Sequence, residues 1–300
     1  MFALTILGSN SAIPTYGRNP TAQILQTQND SFLIDCGEGT QLQIAKYKIK
    51  LSKLSHIFIS HLHGDHYFGL IGLISSMSLL NRTQPLHIFG PALLKDIIDI
   101  QLKAADVVLS YELNFYAIEK EGELTKTSKI SIEAFKVNHR IETFGFIFSE
   151  IKKPRSILSD KAIEQNIPAA FYEQLQNGED YIDKNGKTIP NESVTTAAPK
   201  GKKYVYCADT LFDTSIVEFI QDADLLYHET TYLKDQEEKA KNRFHSTTVQ
   251  AGQIAKLSNA KQLIIGHYSS KYETTHDFLE ETKEIFNNTV LAIEGCCYKI

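Results

Sequence analysis

The chain has little cysteine, no long apolar run and no surplus of positive charge, and each shortage excludes something. Four cysteines occur in 300 residues: Cys36, Cys207, Cys296 and Cys297. Cys296 and Cys297 are chain neighbours, poorly placed for an unstrained disulfide, and no C-x-x-C spacing occurs. The thiols therefore read as small buried apolar groups, and a disulfide framework is excluded. No apolar stretch approaches the ~18–20 residues that a membrane span requires. Residues 1–8 lack the basic start and the small-residue cleavage site of a secretory signal, and read as a first strand. A soluble, cytoplasmic protein with no membrane partner is the expectation. The net charge of −5 argues against an all-over basic coat for nucleic acid. A local basic patch is still compatible with it, because the distribution of charge is what matters.

What is present is a globular composition, with 42% hydrophobic, 22% charged and 10% aromatic residues. A chain of this length buries a large core, as one big domain or two small ones. Short apolar runs recur between turn residues. Those at 2–7, 22–26, 31–34, 56–59, 86–89, 113–118 and 130–137 read as strands, as do 144–148, 204–207, 225–227, 262–265 and 290–293. Helical patterns lie among them at 65–80, 92–104, 246–257 and 278–286. Strands and helices mixed in both halves, without a strict alternation, predict an α/β fold of two mixed sheets packed face to face with helices outside. Residues 151–203 break this pattern. They hold two weak helical pieces, 160–165 and 169–176, punctuated by Pro154, Pro168, Pro190 and Pro199. They also carry two more Lys/Arg than Asp/Glu in a chain that is acidic overall. Most connections run ~4–6 residues, so this segment is expected to be an arm that projects from a single domain spanning 1–300.

The most informative segment is His61-Leu62-His63-Gly64-Asp65-His66. Along an extended chain, residues two apart point to the same side, so His61 and His63 can grip one metal ion. Gly64 is expected to let the backbone turn sharply, swinging Asp65 and His66 towards a second ion. Three isolated ionisable residues stand just past apolar runs elsewhere: His139, Asp209 and His267. Residues placed in this way meet at a sheet edge. The assignment that satisfies two ions gives His61, His63 and His139 to the first, and Asp65, His66 and His267 to the second. Asp209 bridges them, because a carboxylate has two oxygens to share. Such a metal pair lowers the pKa of a shared water towards neutrality and presents hydroxide to an electrophile. Donors this rich in imidazole suit zinc first, with manganese and iron as alternatives.

These residues, with Gly8-Ser9-Asn10-Ser11-Ala12-Ile13-Pro14-Thr15, Asp35-Cys36-Gly37-Glu38-Gly39-Thr40-Gln41, His228-Glu229-Thr230 and His245-Ser246-Thr247, resemble the metallo-β-lactamase superfamily. Within it they resemble the ribonuclease Z family, over nearly the whole chain. The resemblance implies a four-layer αββα sandwich, a homodimer and two zinc ions per subunit. It implies an endoribonuclease that cleaves precursor tRNA on the 3′ side of the discriminator base by metal-hydroxide attack on phosphorus. The products are a tRNA 3′-hydroxyl and a 5′-phosphate trailer. Asp65 then orients the water or takes its proton, and His245 protonates the departing oxygen. Glu229 and His228 would fix the orientation of His245, and Asp35 would orient a ligand. Residues 151–203 match in place the family's tRNA-gripping exosite, and Arg18, Arg140, Lys152, Lys153 and Arg155 are the expected phosphate contacts. His56, His87 and His276 belong to no family motif and read as structural or surface residues. The competing reading is a hydrolase of small phosphodiesters or thioesters on the same fold. The long insertion and the two histidine motifs favour RNA.

Overall fold

A computed structural model describes residues 2–151, 153–198 and 200–300. The chain folds as two compact units. Met1–Thr127, Ser131–Phe148 and Lys202–Ile300 make the first, and Ser128–Ile130 with Ser149–Gly201 the second.

Among the described residues, the first unit contains two seven-stranded sheets. One runs in the order Cys297–Lys299, Ala3–Gly8, Ala22–Gln26, Ser31–Cys36, Leu54–Phe58, Leu86–Gly90 and Leu113–Ala117. Its pairings are antiparallel up to Ser31–Cys36 and parallel beyond it. The other runs Thr289–Leu291, Leu263–Gly266, Leu225–Glu229, Lys203–Cys207, Thr143–Glu150, Ile130–Val137 and Gly122–Lys126, with its first four strands parallel. The central parallel strands Lys203–Cys207, Leu225–Glu229 and Leu263–Gly266 are mostly apolar and buried along nearly their whole length, as strands covered on both faces must be.

Aromatic rings join the two sheets. Phe32 and Phe58 of the first meet Phe146 and Phe148 of the second at centroid distances of 5.4–5.8 Å. On the outer face of the first sheet, Ile57 and Ile88 pack against Leu73 and Ile74 of helix Leu70–Leu79 and Leu94 and Ile98 of helix Leu93–Ala104. Outside the second, Leu226 and Ile265 pack against Ala251 and Ile254 of helix Thr248–Leu257 and Phe278 of helix His276–Ile285. Each fully buried Leu, Ile or Phe stabilises this order of layers by ~1.5–3 kcal/mol. The result is helix, sheet, sheet, helix, as the mixed strand and helix pattern predicts.

Several details differ from the sequence reading. The helix expected over 65–80 is two helices, Gly64–Tyr67 and Leu70–Leu79. The break falls at Gly69, whose N–H donates to the Cys36 carbonyl at 2.9 Å. A Cβ there would lie 2.2 Å from the Gly37 carbonyl oxygen, so the close approach admits only glycine. The edge strand Gly122–Lys126 has no apolar alternation to announce it and is half exposed.

The second unit has a small core of Ile167, Leu175, Ile189 and Val194, with Phe171 and Tyr181 against it. Helices Ser159–Glu164 and Tyr172–Asn177 match the two weak helical patterns. Two short ribbons, Ser156–Ile157 with Thr195–Thr196 and Tyr181–Ile182 with Thr188–Ile189, were not visible in the sequence. Buried Asn191 ties the unit together, its Nδ2 donating to the carbonyls of Leu175 and Glu179.

Candidate metal centre

Parallel strands deliver their following residues to one edge of a sheet, and both sheets of the first unit do so here. Asp35 closes Ser31–Cys36, and Ser60 and His61 follow its parallel neighbour Leu54–Phe58. In the facing sheet, Asp209 follows Lys203–Cys207, Glu229 ends Leu225–Glu229 and His267 follows Leu263–Gly266. His139 follows Ile130–Val137. Asp35 and His267 both adopt left-handed backbone, φ 55° and 62°, a conformation uncommon outside glycine.

The donor atoms fall into two groups that Asp209 joins, and a third set, Asp209, His245 and His267, overlaps them. His61 Nε2 lies 3.0 Å from His63 Nδ1, and His63 Nδ1 lies 3.2 Å from His139 Nε2. Asp209 Oδ2 stands 3.7 Å from His61 Nε2 and 4.0 Å from His139 Nε2. In the other group, His66 Nε2 lies 3.7 Å and His267 Nε2 3.4 Å from Asp65 Oδ2. Asp209 reaches this group too, with Oδ2 3.5 Å from His66 Nε2 and Oδ1 3.2 Å from His267 Nε2. Donors held ~2.1 Å from a tetrahedral ion lie ~3.4 Å from one another, which is the spacing seen.

Two further observations test whether these residues suit a cation. His66 Nε2 and Asp209 Oδ1 are buried and have no hydrogen-bond partner, a costly arrangement unless something else binds them. Charge argues the same way. Burial alone would lower the pKa of His66, but the carboxylates of Asp209, Asp35 and Asp65 outweigh it and raise the pKa well above the ordinary histidine range. Burial opposes ionisation of Asp209, yet His267 and His66 hold it well below the usual carboxylate range. Burial, then the neighbouring charge on His139, hold His63 down to about 4. The centre gathers lone pairs and negative charge around two points, and the donor set fits divalent metal.

Hydrogen bonds orient several of the donors. His66 Nδ1 lies 2.7 Å from Asp35 Oδ2, His139 Nδ1 2.9 Å from the Phe244 carbonyl, and His267 Nδ1 2.9 Å from Thr231 Oγ1. The Ala12 N–H donates to Asp65 Oδ2 at 2.7 Å. Gly64 serves a purpose other than the expected sharp turn. Its φ is not in the left-handed region, but a Cβ would come within 2.2–2.6 Å of the Phe68 ring, which lies across it.

Beside the donors sits a second constellation. Glu229, fully buried, accepts from His245 Nδ1 at 2.9 Å. Burial alone would lower the pKa of His245, but the charge and hydrogen bond of Glu229, with Asp209 and Asp65 behind it, push it up to about 9. His245 is placed by helix Glu237–Arg243, by Phe244 in left-handed backbone and by the Thr247–Gln250 capping box of the next helix. His228 lies elsewhere. It is buried, with Nδ1 2.7 Å from the Glu229 carbonyl, and does not line the opening.

The opening is a cavity of about 510 Å³ whose walls include Asp65, Asp209, His245 and His267. Arg140 stands at its rim, 3.3 Å from His63 Nε2. Lys239 and Arg243 stand there too, and sequence reasoning missed both. Their signal was the four-residue spacing on the helix leading to His245, which puts them on one face. Exposed Phe68 completes the rim. The other expected phosphate contacts fare differently. The Arg18 guanidinium is occupied within the fold, donating to Asn10 Oδ1 and to the carbonyls of Tyr272 and Glu273. In the second unit, Arg155 Nε donates to Thr195 Oγ1 and Lys153 is exposed. Lys152 lies outside the described residues. His56 and His87 stack on one another at 4.9 Å, away from the centre, and His276 begins a surface helix.

Comparison with known proteins places this geometry. Residues 2–179, more than half of the chain, match a sequence family described as Anti-Pycsar protein Apyc1. The chain is 40% identical to a protein named Ribonuclease Z from Bacteroides thetaiotaomicron, over 100% of this chain and 95% of that one. Among solved structures, human tRNase Z, short form, superposes with a TM-score of 0.73 at 26% identity, covering 99% of both chains. The metallo-β-lactamase fold protein YhfI from Bacillus subtilis superposes with a TM-score of 0.70 over the whole of both chains; at 20% identity it speaks to the fold alone.

Proposed function

The chain belongs to the ribonuclease Z family, and across residues 2–179 to the family described as Anti-Pycsar protein Apyc1, and we propose that its donor cluster performs the phosphodiester hydrolysis that processes the 3′ end of tRNA. It is an endoribonuclease of the metallo-β-lactamase fold. The observation that carries the mechanism is the meeting, around one cavity, of two donor groups sharing Asp209 with the Glu229–His245 pair.

His61, His63 and His139 would hold one ion, Asp65, His66 and His267 the other, and Asp209 both. Imidazole-rich donors suit two zinc ions, with manganese or iron as alternatives. Bound there, the ions supply charge neutralisation for the phosphate and a hydroxide at neutral pH. Asp65, steadied by the Ala12 N–H, orients the attacking water and accepts its proton. His245 turns its Nε2 to the opening because Nδ1 is engaged by Glu229, and it protonates the departing 3′ oxygen of the discriminator nucleotide. His228 steadies the main chain of Glu229. The products are a tRNA 3′-hydroxyl and a trailer with a 5′-phosphate.

Arg140, Lys239 and Arg243 are the phosphate contacts nearest the chemistry, and the inserted unit, with Lys153 and Arg155 among its cations, is the RNA-gripping element. A homodimer in the cytoplasm is the working assembly. Family membership supports that reading, and a monomer in sedimentation at working concentration would remove it. No helix among the described residues is long and apolar enough to cross a membrane.

The same donor cluster and open cavity also suit the second reading, hydrolysis of small phosphodiesters or thioesters. One experiment separates the two: product mapping on a precursor tRNA transcript with a 3′ trailer, using zinc-loaded wild type and Asp65→Ala. Cleavage at the single phosphate after the discriminator base, lost in Asp65→Ala, supports tRNA processing. An inert transcript alongside rapid hydrolysis of a small diester makes the second reading the function.

A further inference from the structure

Ser60 carries no metal and faces no substrate, yet it stands between the two donor groups. It is fully buried, as is Asp35, its partner from the neighbouring strand. The Ser60 N–H donates to Asp35 Oδ1 at 2.7 Å, and its hydroxyl lies 2.9 Å from Asp35 Oδ2, 3.0 Å from His61 Nδ1 and 3.4 Å from His66 Nδ1, whose shorter contact, at 2.7 Å, is with Asp35 Oδ2. A hydroxyl has one proton to give. An ionised carboxylate can only accept, so the Ser60 O–H points to Asp35 and its oxygen is left to accept from His61 Nδ1–H. That fixes the tautomer of His61, with the lone pair on Nε2, the atom that meets His63 Nδ1 and Asp209. The same Asp35 Oδ2 accepts from His66 Nδ1 at 2.7 Å and, across the sheet interface, from the Tyr206 hydroxyl at 2.6 Å.

We propose that Ser60 is a positioning residue through which one buried carboxylate, Asp35, serves both metal ions, orienting His66 directly and His61 through the Ser60 hydroxyl. The inference rests on the ligand assignment above. Partners that orient a metal-bound imidazole are worth about 10–100-fold in metal affinity. Removing the Ser60 hydroxyl therefore weakens the ion held by His61, His63 and His139, whereas neutralising Asp35 weakens both.

The test is a zinc titration against a chromogenic chelator with wild type, Ser60→Ala and Asp35→Asn. It is joined by imidazole ¹⁵N NMR of zinc-loaded wild type, which reads the tautomer of His61 without any substitution. The expected result is two zinc equivalents in wild type and one of the two weakened about 10–100-fold in Ser60→Ala. Both should be weakened in Asp35→Asn, and His61 should show its proton on Nδ1. Ser60→Thr, which keeps the hydroxyl, should restore the weakened ion. A purely packing role would weaken both ions alike in Ser60→Ala, and that result overturns the proposal. So does wild-type affinity in Ser60→Ala, or a His61 proton on Nε2, which decides the matter even if Ser60→Ala does not fold. A wild type that takes up no zinc overturns the ligand assignment, and this inference with it. Two wild-type equivalents with an unaltered Ser60→Ala overturn this inference alone.

Discussion

His245 Nδ1 lies 2.9 Å from Glu229 Oε1, and the same carboxylate accepts from the main-chain N–H groups of Thr210, Thr231 and Ser246 and from the Thr231 hydroxyl. A buried glutamate with every lone pair engaged is a rigid support for one imidazole. Proton donation to a poor leaving group contributes ~10²–10⁴-fold to such reactions. His245→Ala should slow precursor-tRNA cleavage by at least about 100-fold while slowing bis(p-nitrophenyl) phosphate hydrolysis far less, because nitrophenolate leaves without help. Equal losses on both substrates would remove the acid role. Glu229→Gln turns an NH₂ group towards backbone donors, so it should also lower the unfolding free energy, by about 1–3 kcal/mol for each donor left unpaired.

Much of this centre was legible in the sequence, for a physical reason. Metal donors are rare residue types, and His61, His63, His139, Asp209 and His267 each stand just past an apolar run, which marks a strand end. Parallel pairing within each sheet then brings the ends before His61 and, in the facing sheet, before Asp209 and His267 to one edge. The layered α/β fold was legible from the same runs. The rim was not. Lys239, Arg243 and Phe68 are ordinary surface types whose importance depends on which helix face meets the cavity. Ser60 and Tyr206 were hidden because their hydrogen bonds to Asp35 join neighbouring strands in one case and facing sheets in the other. Arg18 shows the opposite case. A cation in a suggestive loop proved to be a structural clamp, with three main-chain and side-chain acceptors of its own.

Removing metal should destabilise the protein as well as silence it. Unpartnered His66 Nε2 and Asp209 Oδ1, with three carboxylates nearby, leave an excess of lone pairs and negative charge that bound cations offset. A ligand present at ~1,000 times its dissociation constant stabilises by about 4 kcal/mol. Thermal unfolding followed by fluorescence should shift down by at least about 5 °C on chelation and recover with zinc. Asp209→Asn should melt at one temperature whether or not zinc is present. Indifference of the wild type to chelator would count against the whole donor set.

Lys239 and Arg243 present two charges to the cavity mouth, where a phosphate backbone would pass. Every phosphate that the protein ceases to neutralise should reduce the slope of log affinity against log salt by about one. Lys239→Gln with Arg243→Gln should therefore weaken precursor-tRNA binding and flatten its salt dependence by about two, leaving small-diester turnover near wild type. Arg18→Ala should behave differently, lowering the melting temperature without changing that slope. The check is filter binding over a salt series; unchanged slopes in the double variant would place the RNA elsewhere.

His56 offers a pH dependence independent of the metal centre. Its ring lies in a stack with His87, Phe58 and Phe89, and burial, reinforced by the charge of His87, lowers its pKa from 6.5 to about 4. The unfolded chain binds a proton at His56 below about 6.5, whereas the folded chain resists until about 4. Between those values the unfolded state holds more protons, so acid favours unfolding. The contribution is whole above pH 6.5 and is lost as pH falls towards 4. A pKa unit is worth ~1.4 kcal/mol, which makes the loss on the order of 2 kcal/mol by pH 4.5. Urea unfolding of metal-free wild type and His56→Phe at pH 7 and pH 4.5 isolates this group, since the other acid-labile residues are common to both. The wild type should lose about 2 kcal/mol more than the variant over that interval. Equal losses would mean that the ring is protonated in place, with the stack open enough to water to accept the charge.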